Sequence, residues 1–204
     1  MRLVRNVVSI GTLLLVAPPL AAQMRHTMAQ SGSTSRAVFL FGDAGGYSPI
    51  SDLNDDGSTS FDTGYDIGGG AGIRLSRNIG VRASLDFARS KLSGDVGATQ
   101  DVHLNRFFYG GDLQLRYPFE SGVAPYAFGG AGAVTLDPRG IPNADNITKP
   151  AGRFGLGLSF DLPRSGLGIF TEGSGLVYKF DSTGFDRTQF DVAWRGGLSY
   201  RLHV

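Results

Sequence analysis

Phe190-Asp-Val-Ala-Trp-Arg-Gly-Gly-Leu-Ser-Tyr-Arg-Leu-His-Val204 alternates without a break. Phe190, Val192, Trp194, Gly196, Leu198, Tyr200, Leu202 and Val204 fall on one side of an extended chain. Asp191, Ala193, Arg195, Gly197, Ser199, Arg201 and His203 fall on the other. Side chains on a strand point alternately to opposite faces, so this is a strand with one apolar and one charged face. It is longer than the roughly five or six residues of an ordinary globular strand. A tilted strand crossing a bilayer needs roughly nine to eleven residues, which this stretch supplies.

The same pattern recurs upstream. Strands are predicted over Arg36–Tyr47, Phe61–Ser76, Ile79–Arg89, His103–Tyr117, Ala124–Leu136, Arg153–Leu162 and Leu167–Phe180. In Ile79–Arg89, for example, Ile79, Val81, Ala83, Leu85 and Phe87 oppose Arg82, Ser84 and Asp86. Small residues fill Ala124–Leu136 and leave its facing open. Leu176, Tyr178 and Phe180 follow the opposite parity to Leu167 and Ile169, which predicts a bulge near Gly173 or Gly175. The connections alternate in length: residues 48–60, 90–102, 137–150 and 181–187 are the long ones, and the other three are tight. Antiparallel neighbours place alternate connections at opposite ends, so one rim is short and the other ragged. Transmembrane barrels have this asymmetry, with short periplasmic turns and longer outer loops. The expected fold is therefore all-β: an eight-stranded antiparallel up-and-down transmembrane β-barrel.

The chain begins with the marks of export. Arg2 and Arg5 precede an apolar run from Val7 to Val16, and Pro18-Pro19-Leu20-Ala21-Ala22 offers a small-residue cleavage site. The run is well short of the roughly twenty residues of a membrane helix. The expected organisation is a signal peptide over residues 1–22, a polar periplasmic lead-in over 23–35 and the barrel over 36–204. Without Arg2 and Arg5, the nineteen basic residues fall to seventeen against eighteen acidic ones, a net charge of −1. That balance gives no electrostatic footprint for nucleic acid. Cysteine is absent, so no disulfide holds this exported chain together.

Alternation alone does not say which face is wet, because a soluble lipocalin-like barrel in the periplasm would put the apolar face inside. The charged face is the one that suits a narrow lumen. It carries Arg74, Arg82, Arg106, Arg116, Arg153, Arg195 and Arg201 together with Asp66, Asp86, Asp112, Asp161, Glu172 and Asp191. Buried charges are costly unless paired, and these can pair almost completely. Glycine also leans to this face, at Gly68, Gly70, Gly72, Gly155 and Gly157, and is expected to leave room for long arginines. The apolar face then meets lipid, where one arginine at mid-bilayer would cost about 2–4 kcal/mol.

The stretch Tyr65-Asp-Ile-Gly-Gly-Gly-Ala-Gly-Ile-Arg-Leu-Ser-Arg-Asn-Ile-Gly-Val-Arg-Ala-Ser-Leu-Asp-Phe87 resembles the second hairpin segment of small bacterial outer-membrane β-barrel proteins. Ala124-Pro-Tyr-Ala-Phe-Gly-Gly-Ala-Gly132 is similar to their fifth strand. The resemblance extends over about residues 36–204, to the group that includes the OmpA membrane domain, OmpX and OmpW. It implies residence in a Gram-negative outer membrane. It also implies contact with outer-membrane lipid and lipopolysaccharide, and insertion by the barrel-assembly machinery. That machinery reads a terminal aromatic residue in the family, whereas this chain ends in Val204.

Candidate chemistry is sparse. Asp52-Leu-Asn54-Asp-Asp56-Gly57 matches the start of a calcium loop, but the bidentate Glu at its twelfth position is Thr63. An acidic surface loop is the favoured reading, with a weak site on Asp52, Asn54 and Asp56 as the alternative. A lipid A-modifying enzyme would need a nucleophile, a base and an orienting acid within reach of one another. Only His103, with Ser90 or Ser93, is a tolerable candidate, and the compact His-x-Ser spacing is missing. No enzyme activity, cofactor or metal is expected. The expected role of the barrel, as a monomer, is structural or mediated by the four long loops around a charged, largely plugged lumen. A narrow gated pore or an OmpW-like channel for small molecules is the alternative. Glu172 among the luminal arginines is the natural place for such a gate.

Overall fold

The computed structural model of the protein describes residues 37–50, 59–94, 103–139, 145–162, 165–182 and 185–202. The segments expected as signal peptide and lead-in, the Asp52–Asp56 acidic loop and His203–Val204 lie outside these residues. Eight long strands form the staves: β1 (Ala37–Pro49), β3 (Gly64–Arg74), β4 (Ile79–Gly94), β5 (His103–Arg116), β6 (Val123–Arg139), β7 (Ile147–Asp161), β8 (Leu167–Ser182) and β9 (Phe185–Leu202). A three-residue strand, β2 (Thr59–Phe61), pairs with the far end of β4. Every pairing is antiparallel between neighbours, and β1–β9 and β4–β5 ladders close the sheet on itself. Closure removes the strand edges that lipid could not satisfy.

Three tight turns build one rim. Ser76 Oγ accepts from the backbone N–H groups of Asn78 at 3.2 Å and Ile79 at 3.0 Å. Gly122 (φ 85°) and Gly166 (φ 70°) take the left-handed backbone conformation that closes the other two. Ala37 and Leu202 end at this rim, so the first and last staves meet there, with Val38 opposite Leu202.

The burial pattern is inverted relative to a soluble protein. Leu156 and Trp194 are each 70% exposed and Leu85 69%, whereas Arg82, Asp86, Asp112, Arg153 and Glu172 are 4% exposed or less. Large apolar side chains cover the outside and ionised ones fill the inside, as a lipid solvent demands. About ten residues at about 3.3 Å each, tilted by about 45°, rise about 23 Å, close to the roughly 25 Å apolar band of such barrels. Tyr117 and Tyr200 flank the band near the turn rim, and Tyr65 lies toward the other end.

Two expectations need correction, and one open reading closes. β8 has no bulge: it keeps one register from Asp161↔Gly168 to Ala151↔Tyr178 with β7, and from Leu167↔Tyr200 to Ser182↔Phe185 with β9. Leu176 and Tyr178 instead turn into the lumen, where they pack with Phe108, Val134, Leu136 and Ala151 as an apolar collar. The apparent phase change marks a change of luminal chemistry, not of backbone. The long connections are also shorter than the sequence suggested, because ladder hydrogen bonding continues past the apolar band. Residues 137–139 and 147–150 belong to β6 and β7, 181–182 and 185–187 to β8 and β9, and 90–94 to β4. Finally, the facing of β6 is now fixed: Ala124, Tyr126, Phe128, Val134 and Leu136 point inward.

Candidate functional site

The luminal glycines make room for more than arginine. A Cβ on Gly155 would stand 2.5 Å from the Phe128 ring, and one on Gly157 would stand 2.3 Å from the Tyr126 ring. Inward aromatic rings thus lie flat against glycine backbone, and guanidinium groups lie on the rings. Arg82 sits 4.1 Å above Phe128, Arg153 4.6 Å above Phe108 and Arg106 4.0 Å above Tyr47. Stacking fixes each planar guanidinium in a dry site, where cation–π attraction is strongest. Sequence reading missed these inward aromatics because they share a strand face with small and charged residues.

These three arginines, with Arg195, meet six carboxylates at mid-barrel. Arg82 donates from Nε to Asp112 at 3.0 Å and from Nη1 to Glu172 at 2.8 Å. Tyr126 donates its hydroxyl to the same Glu172 oxygen at 3.0 Å. Arg153 bridges Asp86, Asp112 and Ser84. Arg195 reaches Asp86 and Asp66, each at 2.8 Å, and Arg106 reaches Asp191 at 2.9 Å and Asp66 at 3.3 Å. All these charged side chains are 4% exposed or less. The sixth carboxylate, Asp43, has no counterpart in the sequence reading. Its signal was a lone acid on the parity of Phe39, Phe41 and Tyr47 in β1.

A second cluster closes the turn rim. Arg74, Arg116 and Arg201 converge on Asp161, with Nη–O distances of 3.2, 3.6 and 2.7 Å. Arg116 also donates to Ser159 Oγ at 2.7 Å. The thirteen charged residues read onto this face divide into a buried mid-barrel set and a partly exposed rim set. Across both, seven arginines face seven carboxylates among the described residues.

Oxygens of Asp43, Asp66 and Asp86 lie within 4.8 Å of one another, the spacing of a metal site. The positive charge among them is already the Arg195 guanidinium, at 2.8 Å from both Asp66 and Asp86. Gly68 leaves space for this grouping, since a Cβ there would stand 2.3 Å from Asp86 Oδ1 and 2.9 Å from Asp43 Oδ1.

The catalytic candidates are not brought together. His103 pairs across the sheet with Lys91, and Ser90 with Leu104, so His103 and Ser90 occupy opposite faces. His103 Nδ1 and Ser90 Oγ each lack a hydrogen-bond partner. The Ser93 side chain, His26 and His203 lie outside the described residues.

The sequence model of the outer membrane protein beta-barrel domain matches residues 12–203. The chain belongs to this family. Its place is therefore the bacterial outer membrane. Solved structures share the fold at low identity. Neisserial surface protein A is 12% identical with a TM-score of 0.59, covering 81% of this chain and 97% of its own. Ail, the attachment invasion locus protein of Yersinia pestis, solved with the heparin analogue sucrose octasulfate, is 17% identical with a TM-score of 0.52, covering 83% and 100%. OprG of Pseudomonas aeruginosa is 16% identical with a TM-score of 0.51, covering 85% and 99%. No curated protein matches the chain in sequence.

Proposed function

We propose that this outer-membrane barrel is a closed, non-catalytic scaffold that acts through its outer ends. The observation that carries this reading is the filled lumen. The Arg82–Glu172 contact, the Arg153 bridges and the apolar collar cross the interior. Between them, a cavity lined by Asp86, Arg106, Phe108, Ser174, Asp191 and Arg195 has room for about one water molecule. An eight-stranded barrel is just wide enough for side chains to fill, so no aqueous path is needed to account for the interior. The outer connections around 48–60, 90–102 and 137–150 are then the parts free to meet a partner, and no cofactor is required.

Reconstitution in a planar bilayer tests this. The proposal expects no discrete currents above those of lipid alone. It also expects that trimming within 51–58 and 140–146, between the strands, abolishes adhesion of expressing cells while heat-modifiable gel mobility persists. Steady currents would favour the narrow gated pore. One distance supports that second reading: Arg195 Nη1 stands 3.9 Å from Glu172, a ready alternative partner if Arg82 lets go.

A further inference from the structure

The two luminal clusters balance each other only in sum. At mid-barrel, four arginines face six carboxylates, whereas at the turn rim three arginines share Asp161. The rim set thus carries an excess of two positive charges among the described residues. Its donors are also unfinished. Arg74 spends Nη1 and Nη2 on Asp161, and Arg201 spends Nη2. The Nε–H groups of Arg74 and Arg201 are buried and have no acceptor. A buried donor without a partner carries a penalty, and charged ones more so. The set is reachable from outside, since the side chains of Arg74, Asp161 and Arg201 are 18%, 31% and 37% exposed.

We infer that Arg74, Arg116 and Arg201 form an oxyanion-binding site at the turn-side mouth of the barrel, selective for a phosphate group. The Nε edge of a guanidinium presents two parallel donors that match two oxygens of a tetrahedral anion. Inorganic phosphate, partly dianionic near neutral pH, can cancel the local excess of two; a phosphodiester headgroup carries one charge but offers the same pair of oxygens, which chloride does not. The short-turn rim faces the periplasm. The phosphate comes either from a soluble periplasmic phosphate or from a phospholipid headgroup of the adjoining leaflet. The site is independent of the role proposed for the outer ends, because it lies at the opposite rim.

The test uses the full barrel folded in dodecyl maltoside, a phosphate-free detergent, with its arginines labelled by nitrogen-15. Inorganic phosphate is titrated against chloride at matched ionic strength while Nε–H resonances are followed. The expected result is a saturable shift of the Arg74 and Arg201 signals with phosphate and not with chloride. Arg74→Gln with Arg201→Gln should weaken phosphate binding about tenfold or more, whereas Arg77→Gln on the exposed turn should leave it unchanged. Shifts that grow without saturation in both salts, or that fall on arginines outside Arg74, Arg116 and Arg201, would overturn the site, and the unmutated protein alone decides this. Repeating the titration in phosphatidylcholine nanodiscs separates the sources. Signals already at their bound positions before phosphate is added would identify a headgroup, and signals that still move would identify a soluble anion.

Discussion

Arg82 and Glu172 stand on diametrically opposite staves, four strands apart in either direction around the barrel, and yet meet at 2.8 Å. The contact crosses the lumen and ties two walls that no backbone ladder joins. Cutting it on the acidic side leaves a buried guanidinium short of a partner. Glu172→Ala should therefore lower stability by about 3–5 kcal/mol, read by urea unfolding of the reconstituted barrel. Glu172→Gln, which keeps an acceptor for Arg82 and Tyr126, should cost less. Equal stability of Glu172→Ala and the parent would show that the contact is not a brace.

Depth within the lumen should grade the arginines. Arg153 is stacked on Phe108 and bridges Asp86 and Asp112, whereas Arg201 is partly open at the rim. Arg153→Ala should cost about 3–5 kcal/mol and Arg201→Ala about 1 kcal/mol or less, in the same unfolding measurement. Similar losses for both would contradict a dry mid-barrel network.

Glycines under the rings should resist substitution more than glycines facing outward. A Cβ at Gly155 meets Phe128, whereas one at Gly152 meets nothing within 4 Å. Gly155→Ala should cost about 1–3 kcal/mol through overpacking, and Gly152→Ala should be close to neutral. Heat-modifiable mobility together with urea midpoints would check both.

The outer face should punish charge in the way lipid does. Leu156 lies five residues from the turn end of β7, near the middle of the apolar band, and is 70% exposed. Leu156→Arg should destabilise the folded barrel by about 2–4 kcal/mol in bilayers. A loss within about 0.5 kcal/mol, as at an ordinary water-exposed position, would contradict a lipid-facing Leu156.

Much of this architecture is legible in the sequence, for a physical reason. Where both faces are chemically distinct, as in Phe190–Leu202 or Ile79–Phe87, period-two alternation fixes the strand and which residues share a face, and the paired charges gathered on one face say which side is inside. Legibility fails where the lumen itself is apolar. Leu176 and Tyr178 looked like a phase shift because inward and outward residues are alike there. Asp43 was overlooked because Phe39, Phe41 and Tyr47, which share its face, are aromatic. Strand ends ran past the expected loops because ladder bonds need no particular side chain. Which arginine meets which acid depends on contacts across the diameter, such as Arg82 with Glu172, and spacing along the chain carries no record of them.

Trp194 is the only tryptophan in the chain and is 70% exposed on the outer face, beside the buried Arg195. Its fluorescence in vesicles therefore reads the orientation of the whole barrel. Phospholipids brominated on their acyl chains should quench it strongly, and aqueous iodide should leave it almost untouched. Strong quenching by iodide with none from the brominated chains would place the apolar face in water and contradict the account.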